Sequence, residues 1–310
     1  MQKIKWPDGK CFAFTVFDDT DLATVENTKP VYDFLKDCGF KTTKSIWPLS
    51  GKEIPTIGGD TCENPEYLNW IKELRSSGFE IGFHNATYNS SFREQTIKGI
   101  KRFEEIIGHS PDVMANHANC IENIYWGENR VSGLQRLVYN ILTRGKRKKY
   151  FKGHIEGSPY FWGDICREKI RYVRNFIYSE IDTLKKCPFM PYFDPQRPYV
   201  NNWFASSVGG RVASFNNTIS EANQDRLEED NGCCIMYTHF ANGFYQDGKL
   251  NSDFKNLMQR LSKKNGWFVP VSTLLDYILE FRGKYILKNR ARRFLELQWL
   301  LHRIQVRTNE

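Results

Sequence analysis

Asp18 and Asp19 close an apolar run, Cys11 to Phe17, that reads as a β-strand. Neighbouring residues of extended chain point to opposite faces, but the pleat relaxes at a strand tip. Two adjacent acids there can serve one site in different roles, one holding a metal and the other moving protons. A solvated turn is the competing reading, because Asp is common wherever strands stop. His84, His117 and His239 tilt the balance, since each follows a short apolar run. Imidazole is both a metal ligand and a proton carrier near neutral pH.

These groups are far apart in sequence, so something must bring them together. Extended and helical patterns alternate along the chain, which predicts a parallel sheet covered by helices. Strands are expected up to Asp18, over 42–47, 79–83 and 112–116, at Cys233 to Thr238 and over 267–269. Helices are expected over 29–38, with Pro30 in the first turn, and over 65–77, 220–229, 254–263 and 272–281. Another should start at the capping-box pattern Ser91-Phe92-Arg93-Glu94 and stop at Gly108. Parallel strands joined by helical crossovers expose all their C-terminal ends on one face. The four candidate groups then converge.

The 310 residues are enough for one large α/β core. Residues 1–281 read as that body, with an aromatic excursion over 125–194 expected to be an insertion, and 282–310 read as a basic C-terminal helix. The eight cysteines show no Cys-x-x-Cys pair or regular spacing. They are read as small buried hydrophobes in a reducing, cytoplasmic setting rather than as a zinc ribbon or disulfide framework. Met1 to Lys10 is short and polar, so no leader is expected, and no run nears the ~20 apolar residues of a spanning helix. The net charge of +8 is concentrated between Arg282 and Arg307, where Glu296 is the sole acid, which argues against a nucleic-acid partner.

In order and spacing the motifs resemble the polysaccharide deacetylase superfamily, the NodB-like or carbohydrate esterase family 4 fold. Val16-Phe17-Asp18-Asp19 is similar to its Thr-Phe-Asp-Asp motif, which implies that Asp18 is the general base and Asp19 a metal ligand. His84 matches the first His of the second motif, whereas Tyr88 stands where the second His belongs. Ala115 falls where the family has the Arg that steadies the base. Cys234 to His239 resembles the last motif, which implies that His239 is the general acid. The resemblance implies a distorted (β/α) barrel and a metal-dependent hydrolase. Its activity would be removal of an N-acyl group, acetyl above all, from an amino sugar of a cell-envelope polysaccharide or a lipid-linked precursor.

A catalytic zinc usually has three protein ligands. Asp19 and His84 supply two for zinc or a related divalent ion, and His117 is the substitute third; Tyr88 could ligate weakly or bind substrate. Within Ser158 to Asp164, Trp162 and Asp164 are the candidates for a sugar-binding wall, Tyr160 and Phe161 being read as packing. Two other readings remain open: a carbohydrate-binding relative that has lost hydrolysis, and a glycosidase pairing Asp18 with Asp164. The C-terminal helix mixes Leu and Trp with Arg and Lys, which also suits peripheral contact with a membrane. The oligomeric state is left open.

Overall fold

The computed structural model describes residues 3–308. Seven parallel strands form the core: β1 (Phe12–Asp18), β2 (Thr43–Ile46), β3 (Glu80–Phe83), β4 (Val113–Met114), β5 (Tyr172–Tyr178), β6 (Asn202–Ser207) and β7 (Cys233–Thr238). Each pairs with the next, and β7 returns to β1 over the register Ala13↔Cys233 to Asp18↔Thr238, closing the barrel. All seven residues of β1 are buried, as expected of a strand enclosed on both faces. The barrel is uneven. β3 meets β4 at Phe83↔Met114 and β6 meets β7 at Ser207↔Met236, while the β5–β6 register shifts between Arg174 and Ile177.

The sequence patterns locate most elements and misplace some ends. The first long helix is Val25–Asp37, earlier than expected: the Thr24 side chain caps it through Asn27, leaving Pro30 inside. The helix Arg93–Ile107 has Phe92 at its cap position and no side-chain cap bond. Ser91 is buried and spends its hydroxyl on Asn89 O and Thr87 instead. The segment 125–194 is not simply an insertion, because it contains the barrel strand β5.

The C-terminal helix Asn289–Thr308 packs on β5 and on the helix Gly133–Leu142. Leu295, Trp299 and Leu300 are buried. Arg292 is buried too, with its Nη2 donating to Asp194 Oδ1 at 2.6 Å, and Arg197 Nη2 donates to Glu296 Oε1 at 2.9 Å. Ser132 closes this buried network through its N–H and hydroxyl on Glu296. Among the described residues, no helix is long and apolar enough to cross a membrane.

Candidate active site

The barrel brings the acids after β1 and the histidines after β3, β4 and β7 to one mouth, but it redistributes the acids. Asp18 is fully buried. Its Oδ1 accepts from Phe240 N at 2.8 Å, and its Oδ2 accepts from Tyr32 Oη at 3.1 Å and lies 3.2 Å from Lys44 Nζ. Burial pushes its pKa up, against the opposing pull of Lys44 and the Phe240 amide. With both oxygens engaged this way, Asp18 supports the β1 tip and is absent from the two groups of convergent ligand atoms.

Asp19 is held by Arg174, which enters from the middle of β5: Nη1 donates to Oδ1 at 2.9 Å and Nη2 to Oδ2 at 2.5 Å. The guanidinium also lies over the Tyr237 and Phe17 rings, 4.5 and 5.1 Å from their centroids. Ala115, where the resemblance placed an Arg, is buried after β4, and the guanidinium that reaches Asp19 comes from the neighbouring strand β5.

The acid that faces His84 and His117 is Asp21, two residues beyond Asp19. Ligand atoms of Asp21, His84 and His117 all lie within 4.8 Å of one another, and a second such group joins Asp19, Asp21 and His239. Asp21 Oδ1 is 2.7 Å from His117 Nδ1 and 3.7 Å from His84 Nε2. Even so, Asp21 Oδ1, His117 Nδ1 and both ring nitrogens of His84 are buried without a hydrogen-bond partner. Orphaned buried polar atoms are costly. Three ligand groups of carboxylate and imidazole type brought this close together fit a divalent cation. Burial would raise the Asp21 pKa, but the close approach of the His117, His239 and His84 imidazoles outweighs it and holds the carboxyl well below its usual range.

Two loops are locked together to make this group. Asn85, directly after His84, adopts φ 63°, a conformation that Asn tolerates better than most residues. Its Nδ2 donates to Glu122 and Asn123, and its Oδ1 accepts from His117 N at 3.4 Å. Asn123 in turn donates to His117 O at 2.6 Å. His239 sits opposite, with Nδ1 3.0 Å from Gly210 O and Nε2 2.8 Å from Asp21 Oδ2. Burial alone would lower its pKa, but the Asp21 hydrogen bond and the charges of Asp19 and Asp21 raise it to about 9.

A cavity of about 500 Å³ opens beside His117 and is lined by Tyr88, Phe92, Tyr150 and Tyr160 among others. Tyr88 crosses Trp47 edge-on with centroids 5.6 Å apart, and its hydroxyl meets Gly51 O; it lines the cavity rather than joining the ligand group. Phe92 stacks on Tyr160 at 4.7 Å. Trp162, expected in a sugar wall, is completely buried and donates to Glu122 O at 2.7 Å. Asp164, expected beside it, is clamped by Arg93 through two bonds of 2.6 Å outside the cavity. Tyr160 takes their place in the lining, and Asp18 and Asp164 form no pair across the mouth.

Sequence reasoning passed over Asp21 and Arg174. Asp21 was visible as the third acid of Asp18-Asp19-Thr20-Asp21, and Arg174 as the lone cation of an apolar strand, a residue type almost never fully buried unless paired.

Comparison with family models and with curated protein sequences gives no match. Solved structures do match in fold. A protein described as a polysaccharide deacetylase from Mycobacterium smegmatis aligns over 93% of this chain and 98% of its own, at 10% identity and TM-score 0.51. One so described from Pseudomonas aeruginosa PAO1 aligns over 89% and 94%, at 9% identity and TM-score 0.52. The Puue allantoinase aligns over 90% and 94%, at 11% identity and TM-score 0.50. The chain has the NodB-like deacetylase fold, in a form far diverged in sequence.

Proposed function

We propose that the chain is a metal-dependent amide hydrolase that removes an N-acyl group, acetyl above all, from an amino sugar of a cell-envelope polysaccharide or its lipid-linked precursor. The observation that carries this reading is the set of orphaned ligand atoms on Asp21, His84 and His117 beside an arginine-held carboxylate. Asp21, His84 and His117 would hold zinc or a related divalent ion. Such an ion, when bound, polarises a carbonyl and acidifies water.

The remaining roles belong to side chains of the mouth. Asp19, fixed by Arg174, takes the proton of the attacking water as its oxygen bonds to the acyl carbon. His239 gives its Nε2 proton to the departing amine as the C–N bond breaks. Tyr88, Phe92 and Tyr160 offer ring faces to the apolar faces of a sugar.

The test is metal analysis of the purified chain together with acetate release from an oligomer of N-acetylglucosamine. About one divalent ion per chain and metal-dependent release are expected. A chain that takes up no metal under replete conditions, yet binds the oligomer, would instead be a carbohydrate-binding relative without hydrolysis.

A further inference from the structure

The helix Gly133–Leu142 buries none of its residues. Leu134, Leu137, Val138 and Ile141 follow at the spacing of one helical face and are 72, 57, 36 and 67% exposed. A water-soluble monomer rarely leaves such a stripe open. Directly after it come Arg144, Lys146, Arg147, Lys148 and Lys149, all exposed. No Asp or Glu occurs between Gly133 and Lys149.

The neighbouring helix Asn289–Thr308 repeats the pattern. It turns Leu295, Trp299, Leu300 and Arg292 inward, so those residues are unavailable for any surface contact. Phe294, Leu297, Leu301 and Ile304 remain exposed, as do Arg290 and Arg293, and the helix's one described acid, Glu296, is buried on Arg197. The two helices are joined by the stacked rings of Tyr139 and Trp299, 5.7 Å apart. Apart from Asn289, the exposed side chains of this helix pair are therefore apolar or cationic, with no exposed carboxylate among the described residues of either helix.

We propose that this pair of helices, with the basic turn 143–149, is a docking surface for an anionic lipid bilayer. Apolar side chains enter the headgroup region while Lys and Arg meet lipid phosphates, the combination that interfacial helices use. A second copy meeting this face with the same face would set cation against cation, because neither helix exposes an acid among the described residues. The proposal stands apart from the hydrolase reading, since no residue of the barrel mouth takes part.

The experiment is sedimentation of the full chain with vesicles of phosphatidylcholine alone and of equal parts phosphatidylcholine and phosphatidylglycerol. Binding to the anionic vesicles, weakened by salt, is expected, with little to the neutral ones. Changing Lys146, Arg147, Lys148 and Lys149 together to Gln should lower the partition coefficient by roughly fivefold per cation. Leu134→Ser with Ile141→Ser should lower it by about tenfold. All six positions are exposed, so unchanged thermal melting is the control for folding. Equal binding to both vesicle types, no binding to either, or binding undiminished in both variants would overturn the proposal. So would a dimer that Leu134→Ser and Ile141→Ser dissolve, which would assign the face to a second copy.

Discussion

Arg174 holds both oxygens of Asp19 in a fully buried, two-bond clamp, at 2.9 and 2.5 Å. The pair joins the middle of β5 to the loop after β1 and fixes the Asp19 carboxylate, proposed above as the base, beside Asp21. Asp19→Asn keeps the shape and removes the proton acceptor. Turnover should fall by roughly two to four orders of magnitude while metal content stays near wild type, because Asp21, His84 and His117 are untouched. Arg174→Met should cost about 3–5 kcal/mol in urea unfolding, since it leaves a buried carboxylate uncompensated. Metal loss in Asp19→Asn on the scale of an Asp21 variant would show that Asp19 is a ligand.

Asp18 and Asp21 make the opposite pair of predictions. Asp18→Asn strands the Lys44 cation, which is buried 3.2 Å from it, and should cost about 3–5 kcal/mol of stability with metal binding retained in the folded protein. Asp21→Asn should lose the metal, because an amide oxygen is a far weaker ligand than a carboxylate for a hard cation. Denaturant titration and metal analysis on the same two variants separate these roles. If Asp18→Asn loses metal at unchanged stability, the two assignments are interchanged.

What the sequence revealed and what it hid follow from the range of the interactions involved. The parallel barrel was legible because hydrophobic alternation and helix stops are local signals, and convergence of strand ends is a property of the topology. His84, His117 and His239 could be placed for the same reason. The roles of Asp18, Asp19 and Asp21 could not, because they depend on partners brought from elsewhere: Lys44 and Phe240 for Asp18, Arg174 for Asp19, His117 and His239 for Asp21. Trp162 shows the same limit. An aromatic flanked by Gly and Asp looks like a binding wall, and only its hydrogen bond to Glu122 O, forty residues away, reveals a core residue.

The last prediction concerns acid stability and rests on His154, outside the ligand group. Tyr125 N donates to His154 Nδ1 at 3.2 Å, and the two rings lie 4.3 Å apart, so the imidazole serves as an acceptor in its neutral form. Burial, aided by the charges of Arg136 and Arg197, pushes its pKa down to about 4. An unfolded histidine titrates near 6.5, so between these values the unfolded chain binds a proton that the folded one does not. Stability from this group is therefore present above pH ~6.5 and is lost as pH falls toward about 4, on the order of 3 kcal/mol by the lower end. His154→Gln keeps an acceptor for Tyr125 N and removes the titration. Urea unfolding at neutral pH and at the acid end of this window should show a smaller loss in the variant than in wild type, with the carboxylates common to both cancelling in the comparison. Equal losses in the two proteins would show that His154 is not held neutral by the fold.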